Sequence, residues 1–202
     1  MHSTVISRRL GAAASAALLA GCGGDGGSGP GGTPRTALLA LARVDSTFAP
    51  AATSVFPVKN DVLGTFLIRQ RDPAQTLFAE FTFPARSITH VNGLLVCDTC
   101  TVLVSVALTP GTYGFTVSPA TLVFRLSSTP TVRLTYGQYG DLSVFDSSAR
   151  YATAAAFEQA LELWFERETD AWVASRNSTH PAAMTIRSAV DQPGAHLIAA
   201  LK

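Results

Sequence analysis

The chain has 202 residues, of which 47% are hydrophobic and 14% are charged, and its formal net charge is +1. The 15 basic and 14 acidic residues form no basic block, so electrostatics gives no reason to expect a nucleic-acid or polyanionic partner. The low charge and the 11 Phe residues, together with many Val, Thr and Leu, predict a compact β-rich domain.

The first 21 residues have the pattern of an export signal. Arg8 and Arg9 precede an apolar segment over residues 10–20, and small residues lead up to Cys22. The apolar segment is about half the roughly 20 residues that a membrane-spanning helix requires. It therefore predicts a signal peptide over residues 1–21 that is removed, and not a permanent membrane span.

The signal ends in Leu19-Ala20-Gly21-Cys22, which resembles the lipobox of bacterial lipoproteins, Leu-(Ala/Ser)-(Gly/Ala)-Cys, at every position. The resemblance implies cleavage before Cys22, a diacylglycerol group on the Cys22 thiol and a further acyl chain, such as palmitate, on the new amino group. Two acyl chains already make membrane attachment stable. By the sorting rule of that family, Gly23 in place of Asp implies the outer membrane. We therefore expect a periplasmic or surface lipoprotein.

Residues 22–36 are rich in Gly, with Pro, Ser and Thr. Such a composition cannot bury apolar surface, so it predicts a flexible tether with a reach on the order of 20 Å. The remaining residues, 37–202, are enough for a single domain of ordinary size. Three parts are thus predicted: a signal peptide (1–21), a lipidated linker (22–36) and one folded domain (37–202).

Cys97 and Cys100 are the two cysteines that lipidation leaves. In an oxidising compartment we expect them to form a disulfide that closes a tight turn between the apolar segments 94–96 and 101–104. A thioredoxin-like redox pair would need its first cysteine at a helix N-terminus, whereas these flanks are β-branched and apolar. A zinc site would need two further ligands, and the nearest histidine, His90, is isolated. We predict no metal and no cofactor, and the redox alternative stays open.

Most of the folded part has the two-residue period of β-strands. Residues 37–44 could form a buried strand or a short helix, and residues 45–57 predict a loop or an irregular edge. Four later stripes have apolar members at alternating positions: Leu77, Ala79, Phe81 and Phe83; Val102, Val104, Val106 and Leu108; Leu122, Phe124 and Leu126; Val132, Leu134 and Tyr136. Short strands separated by Pro, Gly, Ser and Thr predict an all-β antiparallel sandwich, without the strand-helix-strand alternation of α/β folds.

Residues 151–167 fit both a helical spacing and a strand period. We predict a short helical turn near residues 152–158, then a strand, and then a hairpin turn at residues 168–171. Trp164 and Trp172 flank this turn. They either pack around the hairpin, which general burial statistics favour, or form an exposed platform for a ligand such as a glycan.

Three segments carry a second resemblance. They are Phe81-Thr82-Phe83-Pro84-Ala85-Arg86-Ser87-Ile88-Thr89, the stretch from Ser118-Pro119-Ala120 to Leu134-Thr135-Tyr136, and Leu161-Glu162-Leu163-Trp164 with Asp170-Ala171-Trp172. In order and spacing they resemble the ZU-five type of β-sandwich, known from netrin receptors, ankyrins and many bacterial envelope lipoproteins. The resemblance covers about residues 76–201 and implies an immunoglobulin-like sandwich. Some members cleave themselves before a Ser or Thr; Ile198 in His196-Leu197-Ile198 has no such hydroxyl, so we expect no self-cleavage.

These features together predict a membrane-anchored envelope lipoprotein that acts as a non-enzymatic structural or protein-interaction module. Its membrane contact is the lipid anchor at Cys22, and its partner is an envelope protein or a surface polymer. No catalytic residue is predicted. The alternatives are a thiol-disulfide oxidoreductase using Cys97 and Cys100, a hydrolase, and a glycan-binding module using Trp164 and Trp172.

Overall fold

The computed structural model describes residues 31–202, so the predicted signal peptide and Cys22 lie outside the described part. The strands are β1 (Leu38–Ala40), β2 (Ala42–Arg43), β3 (Thr53–Lys59), β4 (Gly64–Arg69), β5 (Leu77–Phe83), β6 (Ile88–Val91), β7 (Leu94–Leu95), β8 (Thr101–Thr109), β9 (Gly114–Ser118), β10 (Val123–Phe124), β11 (Thr131–Thr135), β12 (Gly140–Asp141), β13 (Glu162–Glu168), β14 (Ala171–Ala174), β15 (Thr179–Ala182), β16 (Thr185–Ala189) and β17 (Gly194–Leu201). The helices of this range are α1 (Ala154–Gln159) and the 3-10 helices η1 (Arg35–Ala37), η2 (Leu126–Ser128) and η3 (Leu142–Ser147).

Two antiparallel sheets form the sandwich. One has the order β14-β13-β17-β9-β8-β3, with β1 also paired to β17, and the other has the order β15-β16-β11-β5-β4. Two small sheets, β10-β6-β7 and β12-β2, lie in the connections. The predicted all-β antiparallel sandwich is confirmed.

Aromatic rings fill the space between the two sheets. Phe81 on β5 meets Phe115 on β9 edge to face, with ring centroids 5.2 Å apart. Phe56 on β3 stacks on Phe66 of β4 at 4.9 Å. Burying one such side chain stabilises the fold by about 1.5–3 kcal/mol. These positions alternate with exposed ones along the strands, which is why the two-residue period of the sequence predicts the sheets.

Two segments refine the strand prediction. Residues 45–57 were expected to form a loop or an irregular edge; residues 45–52 lie in the loop, and β3 (Thr53–Lys59) is an edge strand that buries Phe56 and Val58. Pro57 lies in this strand without breaking it, because β3 is an edge strand and a proline there removes no ladder hydrogen bond. The stripe at residues 122–126 is a strand only at Val123–Phe124, and Leu126 is exposed in η2.

The ambiguous stretch at residues 151–167 is a short helix followed by a strand, as predicted. Thr153 caps α1 by accepting a hydrogen bond from the Ala156 amide at 3.1 Å, and Phe157 anchors the helix in the core. The hairpin between β13 and β14 is also confirmed. Asp170 has φ +56° at its tip, and its amide donates to the Glu166 carboxylate at 2.9 Å.

The strand registers define the two loop ends of the sandwich. Lys59 pairs with Thr101, Ser105 with Ser118, and Val117 with Gly194. The loops after β3 and before β8 therefore lie together, whereas β9 ends and β17 begins further along β8, level with Ser105 and Val106. We call this the disulfide end, and it comprises residues 60–63, 84–100 and 119–130. The other end, which we call the Arg43 end, comprises residues 43–52, 70–76 and 110–113.

The polypeptide enters the sandwich beside the tip of the β13–β14 hairpin. Thr33 and Trp172 exchange two backbone hydrogen bonds of 2.7 and 2.8 Å, and the Arg35 amide donates to the Asp170 carboxylate at 2.7 Å. Gly32 has φ +76°, and a Cβ there would lie 3.1 Å from the Ala171 backbone. Trp172 pairs with Glu166, and this row of the sheet continues through Ala195, Thr116 and Ala107 to Thr53, the first residue of β3. The folded part thus includes Thr33, within the predicted linker 22–36.

Candidate functional site

A cleft of about 190 Å³ lies at the Arg43 end. Its walls come from the loop after β2 and from the end of β8, and they are mainly apolar: Ala49, Pro50, Leu108 and Pro110 contribute. Arg43 supplies the one charged side chain of this lining. An apolar cleft with a single cation suits a ligand that combines an apolar group with an acceptor oxygen.

Arg43 is held in place by three aromatic rings. Its guanidinium carbon lies 5.6 Å from the ring centroid of Phe78, 5.7 Å from that of Tyr113 and 5.9 Å from that of Tyr139. Distances below about 6 Å allow cation–π attraction. Arg43 Nη2 also donates to Gln70 Oε1 at 2.9 Å. The three rings and this hydrogen bond fix the position of the guanidinium group at the wall of the cleft.

Several buried polar atoms near Arg43 have no acceptor or donor among the described residues. They are Arg43 Nε, Gln70 Nε2, Thr112 Oγ1 and the Tyr113 hydroxyl. Buried polar groups are nearly always paired, so such a concentration marks a place where a further polar group can be accommodated. Burial raises the pKa of Tyr113 to about 12, so this hydroxyl is protonated at neutral pH.

The Asp72 carboxylate is hydrogen-bonded to Tyr139, one of the three aromatic residues around Arg43. Asp72 accepts hydrogen bonds from the Thr76 hydroxyl, the Thr76 amide and the Tyr139 hydroxyl, the last at 3.0 Å. The Thr76 hydroxyl is the largest cause that lowers the pKa of Asp72. Burial and the neighbouring Asp72 raise the pKa of Tyr139. The ring of Tyr139 is therefore oriented from one side by Asp72 and presents its face to Arg43.

The disulfide end carries a group of exposed apolar side chains. Leu94 and Leu95 on β7 are 71% and 78% exposed, and Leu126 on η2 is 75% exposed. The group also includes Val62, Leu63 and Val123. Large apolar side chains gathered on the surface mark an interaction surface more often than isolated ones do. We call these six residues the apolar end group.

Cys97 and Cys100 form the predicted disulfide, with Cα atoms 5.1 Å apart. The two flanking segments belong to different sheets, since β7 pairs with β6 and β8 pairs with β3 and β9. The turn is anchored by Asn60, whose side-chain amide donates to Ile88 O at 3.0 Å and to Cys97 O at 3.3 Å. A strand, β8, follows the second cysteine. The pair therefore lacks the following helix that lowers the thiol pKa in thioredoxin-like sites.

Trp164 and Trp172 pack against the outer face of the larger sheet. They are 5% and 8% exposed and share a small cluster with Leu38, Leu197 and Ala199. Trp164 Nε1 donates to Ala199 O at 3.1 Å. Their rings therefore offer little free surface to a glycan, and packing around the hairpin is what the structure shows.

The histidines of the described range do not converge. His196 is buried in β17, where Nδ1 donates to Gly194 O at 2.9 Å. Burial lowers the pKa of His196 to about 4, so it is neutral at physiological pH. His180 Nε2 donates to Leu161 O at 3.1 Å, and His90 contacts Thr89 in β6.

Four aspartates that are far apart in the sequence, Asp141, Asp146, Asp170 and Asp191, have local structural roles or lie in short helices and loops. Asp141 caps η3 by accepting from the Ser143 amide at 2.9 Å, and Asp191 forms an ion pair with Arg176. Asp170 stabilises the hairpin tip and Asp146 lies in η3. Within residues 31–202, no group of three or more His, Cys, Asp or Glu side chains is placed to hold a metal ion. No helix of that same range is long and apolar enough to cross a membrane.

Two features of the site were not predicted from the sequence. Arg43 is a single cation within an apolar stretch, Leu41-Ala42-Arg43-Val44. A charge in such a stretch indicates that its side chain has interaction partners inside the fold. Leu94 and Leu95 follow Asn92-Gly93, which is typical of a tight hairpin that projects from the fold. Neither signal identifies its aromatic or loop neighbours, which come from distant parts of the chain.

Comparisons with protein-family models, curated proteins and solved structures found no match to this chain. The lipobox and the ZU-five resemblance therefore stay predictions that rest on the residues quoted for them.

Proposed function

We propose that this chain is a lipid-anchored lipoprotein of the bacterial cell envelope, whose sandwich is a non-enzymatic binding module. The anchor is supported by the resemblance of Leu19-Ala20-Gly21-Cys22 to the lipobox. One structural observation supports the binding module most: a cleft with mainly apolar walls holds one charged side chain, Arg43, and three aromatic rings fix its position.

The chemistry of the cleft defines the partner. Its apolar walls suit an apolar side chain, and Arg43 is the one charged side chain of the lining. Charge-assisted hydrogen bonds from guanidinium to carboxylate are among the strongest in proteins. We therefore propose an envelope protein segment in which a carboxylate stands beside an apolar side chain.

Site-specific photo-crosslinking tests this proposal in intact cells. A photoreactive residue at Ser46, on the rim of the cleft, should give a discrete crosslinked product, and a photoreactive residue at Leu103, on the exposed sheet face, serves as the matched control. Arg43→Met should abolish the Ser46 product when products are compared at equal amounts of folded protein. Equal products from both positions, or a Ser46 product that survives Arg43→Met, would contradict the proposal.

Membrane fractionation tests the anchor separately. Cys22→Ser removes the thiol that lipidation requires, so the variant should leave the membrane fraction. Unchanged membrane association of Cys22→Ser would overturn the lipoprotein assignment, whatever the crosslinking gives.

The oxidoreductase alternative is separated by thiol titration. In the proposed function the Cys97–Cys100 disulfide is structural and resists mild reductants. Reduction at the mild potential of a thioredoxin-like pair, with transfer of the disulfide to a substrate thiol, would favour the enzyme instead.

A further inference from the structure

We propose that the outer face of the β15-β16-β11-β5-β4 sheet carries a second binding site, which takes the carboxylate of an acidic sugar. The site is centred on Arg133 of β11 and Arg187 of β16, and we call it the two-arginine site. It shares no lining residue with the Arg43 cleft. The inference therefore goes beyond the proposed function and depends on neither the cleft nor the lipid anchor.

The strand registers bring the two arginines side by side. Arg133 is directly opposite Arg187 on one side and directly opposite Glu80 of β5 on the other. The residues before and after Arg133, Val132 and Leu134, are buried in the core, and Arg187 has buried neighbours in the same way. Because side chains alternate along a strand, both arginines point away from the core on one exposed face.

The charges of this row do not balance. Arg133 Nη2 forms an ion pair with Glu80 Oε2 at 2.9 Å. Arg187 is exposed, and no carboxylate of residues 31–202 forms an ion pair with it. Like charges that are directly opposite across an antiparallel pair are destabilising. Two arginines and one glutamate leave a net charge of +1 in this row, which an anion can neutralise.

The two arginines border a pocket of about 150 Å³. Thr82 and Thr131, which are directly opposite each other in β5 and β11, line it beside them. Both threonines are half-buried, and neither hydroxyl group forms a hydrogen bond with a residue of the described range. Pro181 of β15 supplies the apolar part of the lining. The pocket thus offers one unpaired guanidinium group and two free hydroxyl groups at the same place.

This lining suits a ligand with one negative charge and with hydroxyl groups. A carboxylate accepts two parallel hydrogen bonds from a guanidinium group, and its single charge matches the net charge of the row. A phosphate monoester carries about −1.5 to −2 charges and would be repelled by Glu80. Threonine hydroxyls both donate and accept, so they suit the hydroxyl groups of a sugar beside its carboxylate.

A protein partner fits the lining less well than a sugar does. The centres of protein interfaces are rich in apolar and aromatic side chains. Among the residues of this pocket only Pro181 is apolar, and none is aromatic. The chemistry of the lining therefore favours an acidic sugar over a protein segment as the occupant.

The charge of the whole chain does not reveal this site. The 15 basic and 14 acidic residues nearly balance, and the two arginines come from strands that are far apart in the sequence. Only the register of β11 with β16 brings them together. Binding is therefore expected to require a carboxylate at this one place and not a general attraction between opposite charges.

Calorimetric titration of the whole purified chain tests the two-arginine site. The probes are trigalacturonate and its full methyl ester, which keeps the hydroxyl groups of the sugar and removes its negative charges. Trigalacturonate should bind, and the ester should bind at least about tenfold more weakly, since it lacks the charge-assisted hydrogen bonds. Absence of trigalacturonate binding, or equal binding of the two probes, would overturn the proposal.

Three substitutions locate the binding. Arg187→Gln removes the unpaired cation and should weaken trigalacturonate binding by at least about tenfold. Glu80→Gln releases Arg133 and removes a negative charge beside the ligand, so it should strengthen binding. Arg71→Gln is the matched control, because it removes an exposed arginine from the Arg43 end and should leave the affinity unchanged. An affinity that Arg187→Gln leaves unchanged, or that Arg71→Gln lowers equally, contradicts the site.

The melting temperature separates ligand binding from a structural role. Arg187→Gln removes a like charge opposite Arg133, so the melting temperature of the ligand-free protein should stay the same or rise. Trigalacturonate should raise the melting temperature of the unsubstituted chain and not that of the variant. A marked fall in the ligand-free variant would make Arg187 a structural residue and overturn its assignment to the ligand.

A capped triglutamate peptide distinguishes the sugar from a protein partner. Tighter binding of this peptide than of trigalacturonate, lost in Arg187→Gln, would assign the site to an acidic protein segment and overturn the sugar. All of these measurements use the purified chain, so they do not depend on what Cys22→Ser or Arg43→Met gives in cells. Failure of the two-arginine site leaves the lipid anchor and the Arg43 cleft as they stand.

Discussion

His196 and Phe115 stack face to face in neighbouring strands, with ring centroids 4.8 Å apart and ring planes 6° apart. The register of β17 and β9 places the two residues directly opposite each other. An imidazole in such a position is neutral, because protonation would put an unsolvated charge in the core. The stability of the domain is therefore coupled to pH through this one side chain.

The domain should lose stability as the pH falls from about 6.5 to about 4. The pKa of His196 is lowered by burial to about 4 in the folded state, whereas in the unfolded chain it is near 6.5. Between these values the unfolded chain binds the proton and the folded domain does not, so unfolding is favoured by about 3 kcal/mol at the lower end. Urea unfolding at a series of pH values measures the loss.

His196→Phe is the matched variant, because it keeps a ring against Phe115 and removes the titrating group. Its unfolding free energy should vary much less between pH 6.5 and 4. An equally steep loss in this variant would assign the pH dependence to other groups. The pKa of Asp72 is lowered in the folded state from its ordinary value of 3.8, so the contribution of this carboxylate is lost mainly below the window.

The Cys97–Cys100 disulfide should stabilise the domain only modestly. It closes a loop with a sequence separation of 3, for which loop-closure entropy predicts about 2 kcal/mol at most. Cys97→Ser with Cys100→Ser should therefore lower the unfolding free energy by that amount or less and leave the circular dichroism spectrum unchanged.

Asn60→Ala should be at least as costly as loss of the disulfide. Asn60 is buried, and its side chain bonds to the Ile88 amide, to Ile88 O and to Cys97 O. Removing it leaves these buried groups unpaired, at about 1–3 kcal/mol for each group that water cannot reach. A disulfide-free variant that unfolds far more readily than Asn60→Ala would show that the covalent link, and not the hydrogen-bond network, holds this end.

The two tryptophans should be inaccessible in the folded protein. Trp164 and Trp172 lie against the sheet with little exposed surface, so acrylamide should quench their fluorescence much less in the native state than in urea. Glycans should not change the emission. Native quenching as strong as that of the unfolded chain, or a glycan-dependent shift, would restore the aromatic platform as a binding site.

Arg43→Met should destabilise the domain by about 1–3 kcal/mol. The substitution keeps an unbranched side chain but removes the cation from its three aromatic rings and leaves Gln70 Oε1 without its donor. Chemical denaturation measures the change. Arg71→Met, at an exposed position of the same end, should change stability by less than about 0.5 kcal/mol.

The sheets could be predicted from the sequence because their pattern is local. Phe81 and Phe83 alternate with Thr82, and Val102, Val104 and Val106 likewise occupy every second position. The pattern within each strand therefore predicts which of its faces is buried. The helical turn before β13 was predicted for the same reason. β3 was predicted only as one of two alternatives, an irregular edge or a loop, because Pro57 interrupts a stretch whose apolar residues, Phe56 and Val58, are buried.

The candidate site could not be predicted, since it depends on contacts between distant residues. Arg43 meets Phe78, Tyr113 and Tyr139 only after three strands and a loop are assembled. The apolar end group likewise combines residues from 62 to 126. Periodicity specifies which side of a strand is buried, but it does not specify which loops share one end of a sandwich.

The covalent state of Cys22 is the most direct test of this account. Intact mass and peptide mass spectrometry of the protein isolated from membranes should give a mature chain that begins at Cys22 and carries a diacylglyceryl group on its sulfur and an acyl chain on its amino group. A membrane-derived chain that begins at Met1 with an unmodified Cys22 would contradict the lipid anchor and the envelope location that depends on it.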